Sequence, residues 1–227
     1  EASGQILKIS PKDIGARSLH ARALVALGRE EEALPMVAPF REEYPGVRDT
    51  LMKEEMVHLA RGLLLHGELA EDPESITQAM VYVLPEALKA DPGDPVIKTL
   101  LGEAHLTKGN AENAGRAFQE ALATNPHYAA ALIALARLWV SQNPPTATKL
   151  LEEAGKSRPD LAALHYIRAW LRIDQGDLKG ARELLTAGLE RNPRSVILRA
   201  LLSGVHAGGG DLKSADEEEK KVLELRP

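Results

Sequence analysis

Proline recurs along this chain at a nearly constant interval. Pro11, Pro45, Pro92, Pro126, Pro159, Pro193 and Pro227 are separated by 34, 47, 34, 33, 34 and 34 residues. Such a period constrains folding strongly, because it demands one supersecondary unit repeated and stacked on its neighbours. Other columns hold the same register. Gly28, Gly109, Gly176 and Gly210 each stand 17 residues before a proline of the set. Twelve before come Ala33, Ala114, Ala147, Ala181 and Ala215. Five before come Ala87, Ala121, Ala154 and Gly188, with Phe40 and Val222 as exceptions. Ala21, Gly102, Ala169 and Ser203 lie 24 before.

Each period contains two segments with apolar residues at helical spacing, parted by a short polar turn. Over 95–128 the first helix begins at Pro95, runs through His105 and is stopped by KGN. Gly109 suits the left-handed conformation that closes a helix, and Asn110 can cap the next. That second helix is expected from about Ala111 to Thr124, where Asn125-Pro126 ends it. Asp72-Pro73, Asp211 and Ser195 read as comparable starts. The acidic runs Glu30–Glu32 and Asp216–Glu219 are expected in first turns, where the helix dipole favours them. Helices joined so tightly lie side by side. Gly102, Ala114 and Ala121 let the backbones approach, and Phe118 is expected to fill the wedge toward the next pair. Ala114→Leu should therefore overpack the seam, whereas Lys108→Ala should cost little.

Composition supports closely packed helices. Aromatic residues make up 4% of the chain and apolar residues 44%, so a core must be built from Ala, Leu and Val rather than from the aromatic and β-branched residues of strands. A formal charge of −5 argues against general nucleic-acid binding, which needs a basic footprint. Zero Cys removes disulfides, thiolate catalysis and zinc–thiolate sites. The apolar runs are far shorter than a membrane span. EASGQILKIS carries no signal-peptide pattern and reads as a cut end. Residues 1–13 read as the tail of an earlier second helix.

These columns resemble the tetratricopeptide repeat: a small residue in the first helix, Gly at the turn, Ala twice in the second helix, and Pro at the end. On that resemblance the units are 14–47, 48–94, 95–128, 129–161, 162–195 and 196–227. It implies an all-α fold, a right-handed α-solenoid of antiparallel helix pairs with a concave groove lined by the first helices. Three departures are visible. The second unit is 13 residues too long, around PGVRDT and GELAEDPESI, with a first helix expected over about Thr50 to His66. Pro35, Pro39 and Pro85 fall inside second helices, where each removes a backbone bond and should kink the helix. QNPPTAT replaces the glycine turn of the fourth unit as a rigid variant. Leu202, Val222 and Leu225 would have incomplete cover at the last unit. This points either to a segment of a longer array or to self-association through uncapped ends.

Chemistry is hard to find in the chain. None of the seven histidines forms HExxH or another compact metal spacing. His105 and His206 share a slot where the family tends to place Tyr, a structural position. HAGGGDLKS lacks the Gly that must precede the Lys of a phosphate loop and reads as a helix–turn–helix junction. No Ser or Thr has a GxSxG context. The reading is therefore no enzyme, no cofactor and no metal.

Carried over from the family, one groove column contains Arg22, Arg61, Glu103, Arg137, Trp170 and Gly204. A second contains Ser18, Val57, Thr99, Ile133, Tyr166 and Ala200, and a third Val25, Leu64, Leu106, Val140, Ile173 and Ala207. Arginine and aromatic residues are enriched in binding hot spots, so Arg22, Arg61, Arg137, Tyr166 and Trp170 are the candidate binding residues. Arg168 and Arg172 occupy positions where packing residues are expected. Either that helix is rotated, burying Trp170, or the arginines reach a partner. A subtype of the family grips acidic chaperone tails through a Lys/Asn/Arg clamp. Its slots here hold Ser18, Arg22, His58, Val96 and Leu100, so that ligand is excluded.

The expected function is a non-catalytic scaffold binding a peptide, helix or protein surface. Its style is bacterial, and similar arrays serve envelope, secretion or polysaccharide-export assemblies. The alternatives are a structural spacer and a substrate-recruiting segment of a larger enzyme. The compartment, cytoplasmic or periplasmic, stays open.

Overall fold

The computed structural model describes residues 2–225, so Pro227, the last periodic proline, lies outside the described residues. Among the described residues all regular structure is helical. The chain forms two compact units, one holding the residues up to Pro126 apart from Ala26–Gly28, the other those from His127 onward together with Ala26–Gly28. Each is a stack of antiparallel helix pairs, the α-solenoid architecture.

The first unit opens with α1 (Ala2–Ile9), α2 (Ile14–Ala26), α3 (Glu30–Val37) and α4 (Phe40–Val47). Gly28 has φ 72°, and Glu30, Glu31 and Glu32 occupy the first turn of α3, as their types require. The second helix of this pair is broken at Ala38-Pro39, because the Pro39 nitrogen can donate no bond. Pro35 is accommodated inside α3 and Pro45 inside α4, which continues past the expected stop at Pro45 to Val47. Arg17 spans the break. Its Nε donates to the Met36 carbonyl at 2.9 Å, its Nη1 to Glu43 at 2.7 Å, and its guanidinium stacks 4.5 Å from the Phe40 ring centre.

After a 3₁₀ turn at Arg48–Thr50 come α5 (Lys53–Leu69), α6 (Pro73–Gln78) and α7 (Leu84–Ala90). The start of α5 is three residues later than the sequence pattern suggests. Most of the 13 extra residues lengthen helices: α5 has 17 residues, whereas the first helix of the next pair has 13, and the second-helix segment 73–90 is likewise longer than its 14-residue counterpart. Pro85 leaves the Val81 carbonyl without its usual donor, and the backbone widens into a π turn over Ala79–Val83 that joins α6 to α7. Then follow α8 (Pro95–Thr107) and α9 (Ala111–Thr124), with Gly109 at φ 74° and the Asn110 side chain accepting the Asn113 N–H. Phe118 is fully buried, its ring against Gly102 of its own pair. The Lys108 Nζ donates to the Pro73 carbonyl.

The second unit consists of α10 (Ala129–Trp139), α11 (Pro144–Ser157), α12 (Ala162–Asp174), α13 (Leu178–Arg191), α14 (Val196–Gly208) and α15 (Leu212–Leu225). They pack as α10 with α11, α12 with α13 and α14 with α15. Gln142 stands in the glycine slot without a left-handed backbone, and Asn143, in the cap slot, accepts the Thr146 N–H with Pro144 opening α11. Asp177, Ser195 and Asp211 cap α13, α14 and α15, so HAGGGDLKS is a helix junction. Because α15 starts at Leu212, Asp216–Glu219 fall in its second turn and beyond, not in the first as expected. Glu218 instead receives Arg199 of α14 at 2.8 Å and Lys221 at 2.6 Å. Leu202 is buried with Leu198 and Val205, contrary to the expectation of incomplete cover.

Candidate functional site

The first helices decide which candidate residues reach solvent. The column of Ser18, Val57, Thr99 and Ile133 is buried in the helix contacts, leaving only Tyr166 and Ala200 of that column accessible. The column of Arg22, Arg61, Arg137, Trp170 and Gly204 lies outward, with Arg61 half-buried and the others exposed.

In the first unit, Arg22 on α2 and Arg61 on α5 converge on one side chain, His58. Burial first, then Arg61 and Arg22, push the His58 pKa down, against the opposing charge of Asp13. Its ring packs 3.5 Å from the position of a Cβ on Gly15, and its Nδ1 is buried without a hydrogen-bond partner. Burial and the two arginines thus disfavour the imidazolium form. Sequence spacing placed the two arginines in one column, but His58 gave no signal of its place between them.

In the second unit, Tyr166 and Trp170 stack edge to face on α12, their ring centres 6.2 Å apart with an interplanar angle of 68°. Tyr166 leans onto the cluster of Ala169, Leu185 and Leu198, and Trp170 stays 45% exposed. α10, which carries the exposed Arg137, packs beside α12. The helix is therefore not rotated. Arg168 lies over Gly155 and donates to the Leu151 carbonyl at 2.8 Å, whereas Arg172 stays half exposed, 3.5 Å from Asp177.

A Ser–His–Asp group does occur, where α5 meets α6. The Ser75 hydroxyl donates to Asp72 at 2.7 Å and faces the His66 Nδ1 at 2.8 Å. The order is wrong for a nucleophile, since serine rather than histidine sits in the middle and its proton is given to the carboxylate. Ser75 is fully buried, and Asp72 also accepts the Glu74 N–H at the start of α6. The trio closes a helix junction. His206 lies near Asp211 in the same way, 3.4 Å from its carboxylate. Among the described residues no cluster of His, Asp or Glu has the geometry to hold a metal ion, and no helix is long and apolar enough to cross a membrane.

What remains is a set of helix pairs with exposed Arg and aromatic side chains on their first helices. The tetratricopeptide-repeat sequence profile matches residues 105–171, and a second profile of the same description matches 166–227. Together they cover more than half of the chain. This chain belongs to the tetratricopeptide repeat family. Among solved structures it is similar to TTC0263, a thermophilic tetratricopeptide repeat protein of Thermus thermophilus, at 20% identity and a TM-score of 0.65, over 77% of this chain and 91% of that one. PilF of Pseudomonas aeruginosa is similar at 17% identity and TM-score 0.63, over 77% of each chain. A chain of the Cut9–Hcn1 hetero-tetramer is similar at 13% identity and TM-score 0.66, over 98% of this chain and 42% of that one. No curated protein matches in sequence. At these identities the structures speak for the fold. The tetratricopeptide fold is that of a protein–protein interaction scaffold, and its repeats generally bind proteins or peptides.

Proposed function

We propose that this tetratricopeptide repeat chain is a non-catalytic scaffold that holds a peptide, helix or protein surface against the outward faces of its first helices. The observation that carries this reading is Trp170: a large aromatic side chain 45% exposed, steadied edge-on by Tyr166, beside a helix that presents Arg137. A rigid aromatic next to an unburied guanidinium gives apolar area and bidentate hydrogen bonding at little entropy cost. Arg22 and Arg61 around His58 make a second contact region, on the first unit. A partner that carries carboxylates and apolar residues fits both. The hetero-tetramer among the similar structures supports a role in an assembly, and the sources of TTC0263 and PilF support a bacterial one; an envelope, secretion or export machine is the setting proposed.

The test is partner capture from an extract by wild type and by the Arg137→Ala/Trp170→Ala double variant. Loss of captured protein with unchanged helicity is expected. Equal capture by the two would remove the first-helix face from consideration and favour a spacer.

A further inference from the structure

Away from the first-helix faces, the first unit carries a cleft of about 510 Å³ between α4 and the α6–α7 segment. Both irregular helices of this unit border it. The π turn that accommodates Pro85 turns two adjacent residues outward, Val81 at 48% and Tyr82 at 52% exposure. Tyr44 forms the opposite wall. Ion pairs stand at the two ends: Arg41 with Asp72 and Glu74, and Arg48 with Glu86 at 3.3 Å.

Two polar side chains in this cleft hold unused bonding capacity. Gln78 donates from Nε2 to the Arg41 carbonyl at 3.1 Å, while its Oε1 is buried without a partner. Tyr44 is 5% exposed, and its hydroxyl is also buried without a partner. Leaving such a group unsatisfied costs about 1–3 kcal/mol, so two at one cleft point to a bonding partner from outside. The second unit offers the contrast. Its cleft of about 410 Å³ beside Leu151 and Leu184 is crossed by Arg168, which satisfies the Leu151 carbonyl from within.

The chemistry of the vacant positions selects the occupant. Gln78 Oε1 can only accept, so the occupant must bring an N–H. The tyrosine hydroxyl can serve a carbonyl, and the Tyr82 ring offers an apolar surface on the cleft wall. A polypeptide main chain with an apolar side chain combines these properties. An α-helix spends its main-chain N–H and C=O groups on itself, so a segment whose main chain bonds to both side chains is extended. We propose that this cleft binds an extended peptide segment of a partner protein, its main-chain amide and carbonyl bonding to Gln78 and Tyr44 and one apolar side chain resting on Tyr82. Arg48 lines the cleft with Tyr44, half-exposed and paired with Glu86 at 3.3 Å, and its displacement is part of the binding proposed.

The probe is a displayed library of short linear peptides, selected on the wild-type protein. Each enriched peptide is then titrated against Tyr44→Phe, Tyr82→Ala and Trp170→Ala. A peptide class is expected whose affinity falls about tenfold in Tyr44→Phe and in Tyr82→Ala and is unchanged in Trp170→Ala. Tyr44→Phe keeps the ring and deletes only an unpartnered hydroxyl, so its melting temperature should hold level or rise. A clear fall would reveal an internal partner for that hydroxyl and overturn the proposal. Enriched peptides insensitive to both tyrosine variants, or sensitive only to Trp170→Ala, would also overturn it, and the latter would leave the first-helix reading standing.

Discussion

The ring of Phe118 lies against the backbone of Gly102 so closely that a Cβ on that glycine would occupy the ring's own space. This contact is the seam between α8 and α9, and the small residues beside it, Ala114 and Ala121, are fully buried. On α14, Gly204 has nothing within 4 Å of the same hypothetical atom. Gly102→Ala should therefore lower stability by about 1–3 kcal/mol through overpacking. Gly204→Ala should raise it by about 0.5–1 kcal/mol through helix propensity alone. Denaturant melts of the two variants settle this, and shifts of equal sign would contradict the packing described.

The turn glycines make a second demand, set by the backbone rather than by space. Gly176 has φ 76° and open surroundings, so a methyl group there meets strain without a clash. Gly176→Ala should cost about 1–2 kcal/mol. Gly46→Ala in α4, also unobstructed but not left-handed, should be neutral or stabilising. Thermal unfolding of the pair measures the difference.

Arg17 is the strap across the helix break at Pro39. Replacing it by Met removes the bonds to the Met36 carbonyl and Glu43 and the stacking on Phe40. A loss of about 2–3 kcal/mol is expected, the scale of charge-assisted bonds with a buried partner. Lys should not rescue it, because one ammonium cannot stack on the ring and serve both acceptors. Hydrogen exchange should quicken in α3 and α4 and leave α8 and α9 unchanged.

His58 gives the first unit a pH dependence. Its folded pKa lies below the ordinary histidine value, through burial first and then Arg61 and Arg22. Above about pH 6.5 both folded and unfolded states hold it neutral. As pH falls below that value the unfolded chain takes up the proton first, so stability declines until the folded pKa is reached and then levels. His58→Gln should flatten this decline. Melting temperatures of wild type and variant, measured from neutral to mildly acidic pH, should diverge with the wild type the steeper; parallel curves would show that His58 is not held neutral.

Much of the molecule was legible from spacing. Gly28, Gly109, Gly176 and Gly210 are all left-handed, and Ala33, Ala114, Ala147 and Ala181 are fully buried. Asn110, Ser195 and Asp211 cap the helices their positions announced. The candidate site was legible by column and not by environment. Arg22 and Arg137 share a periodic slot, yet the slot does not reveal that Arg22 acts with His58 or that Arg168 is spent on the Leu151 carbonyl.

A repeating sequence determines what each turn of helix must do locally, because left-handed φ, missing N–H groups and absent side chains act within a few residues. The amino acids alone therefore set the helix pairs, their caps and the prolines' disruption. Only the tertiary structure decided how each disruption resolves: a break at Pro39 bridged by Arg17, a π turn before Pro85 that lifts Tyr82 outward, Trp170 left at the surface. Those outcomes depend on which neighbour can satisfy a freed carbonyl or fill a gap. The neighbours come from other helices, whose approach no single period encodes.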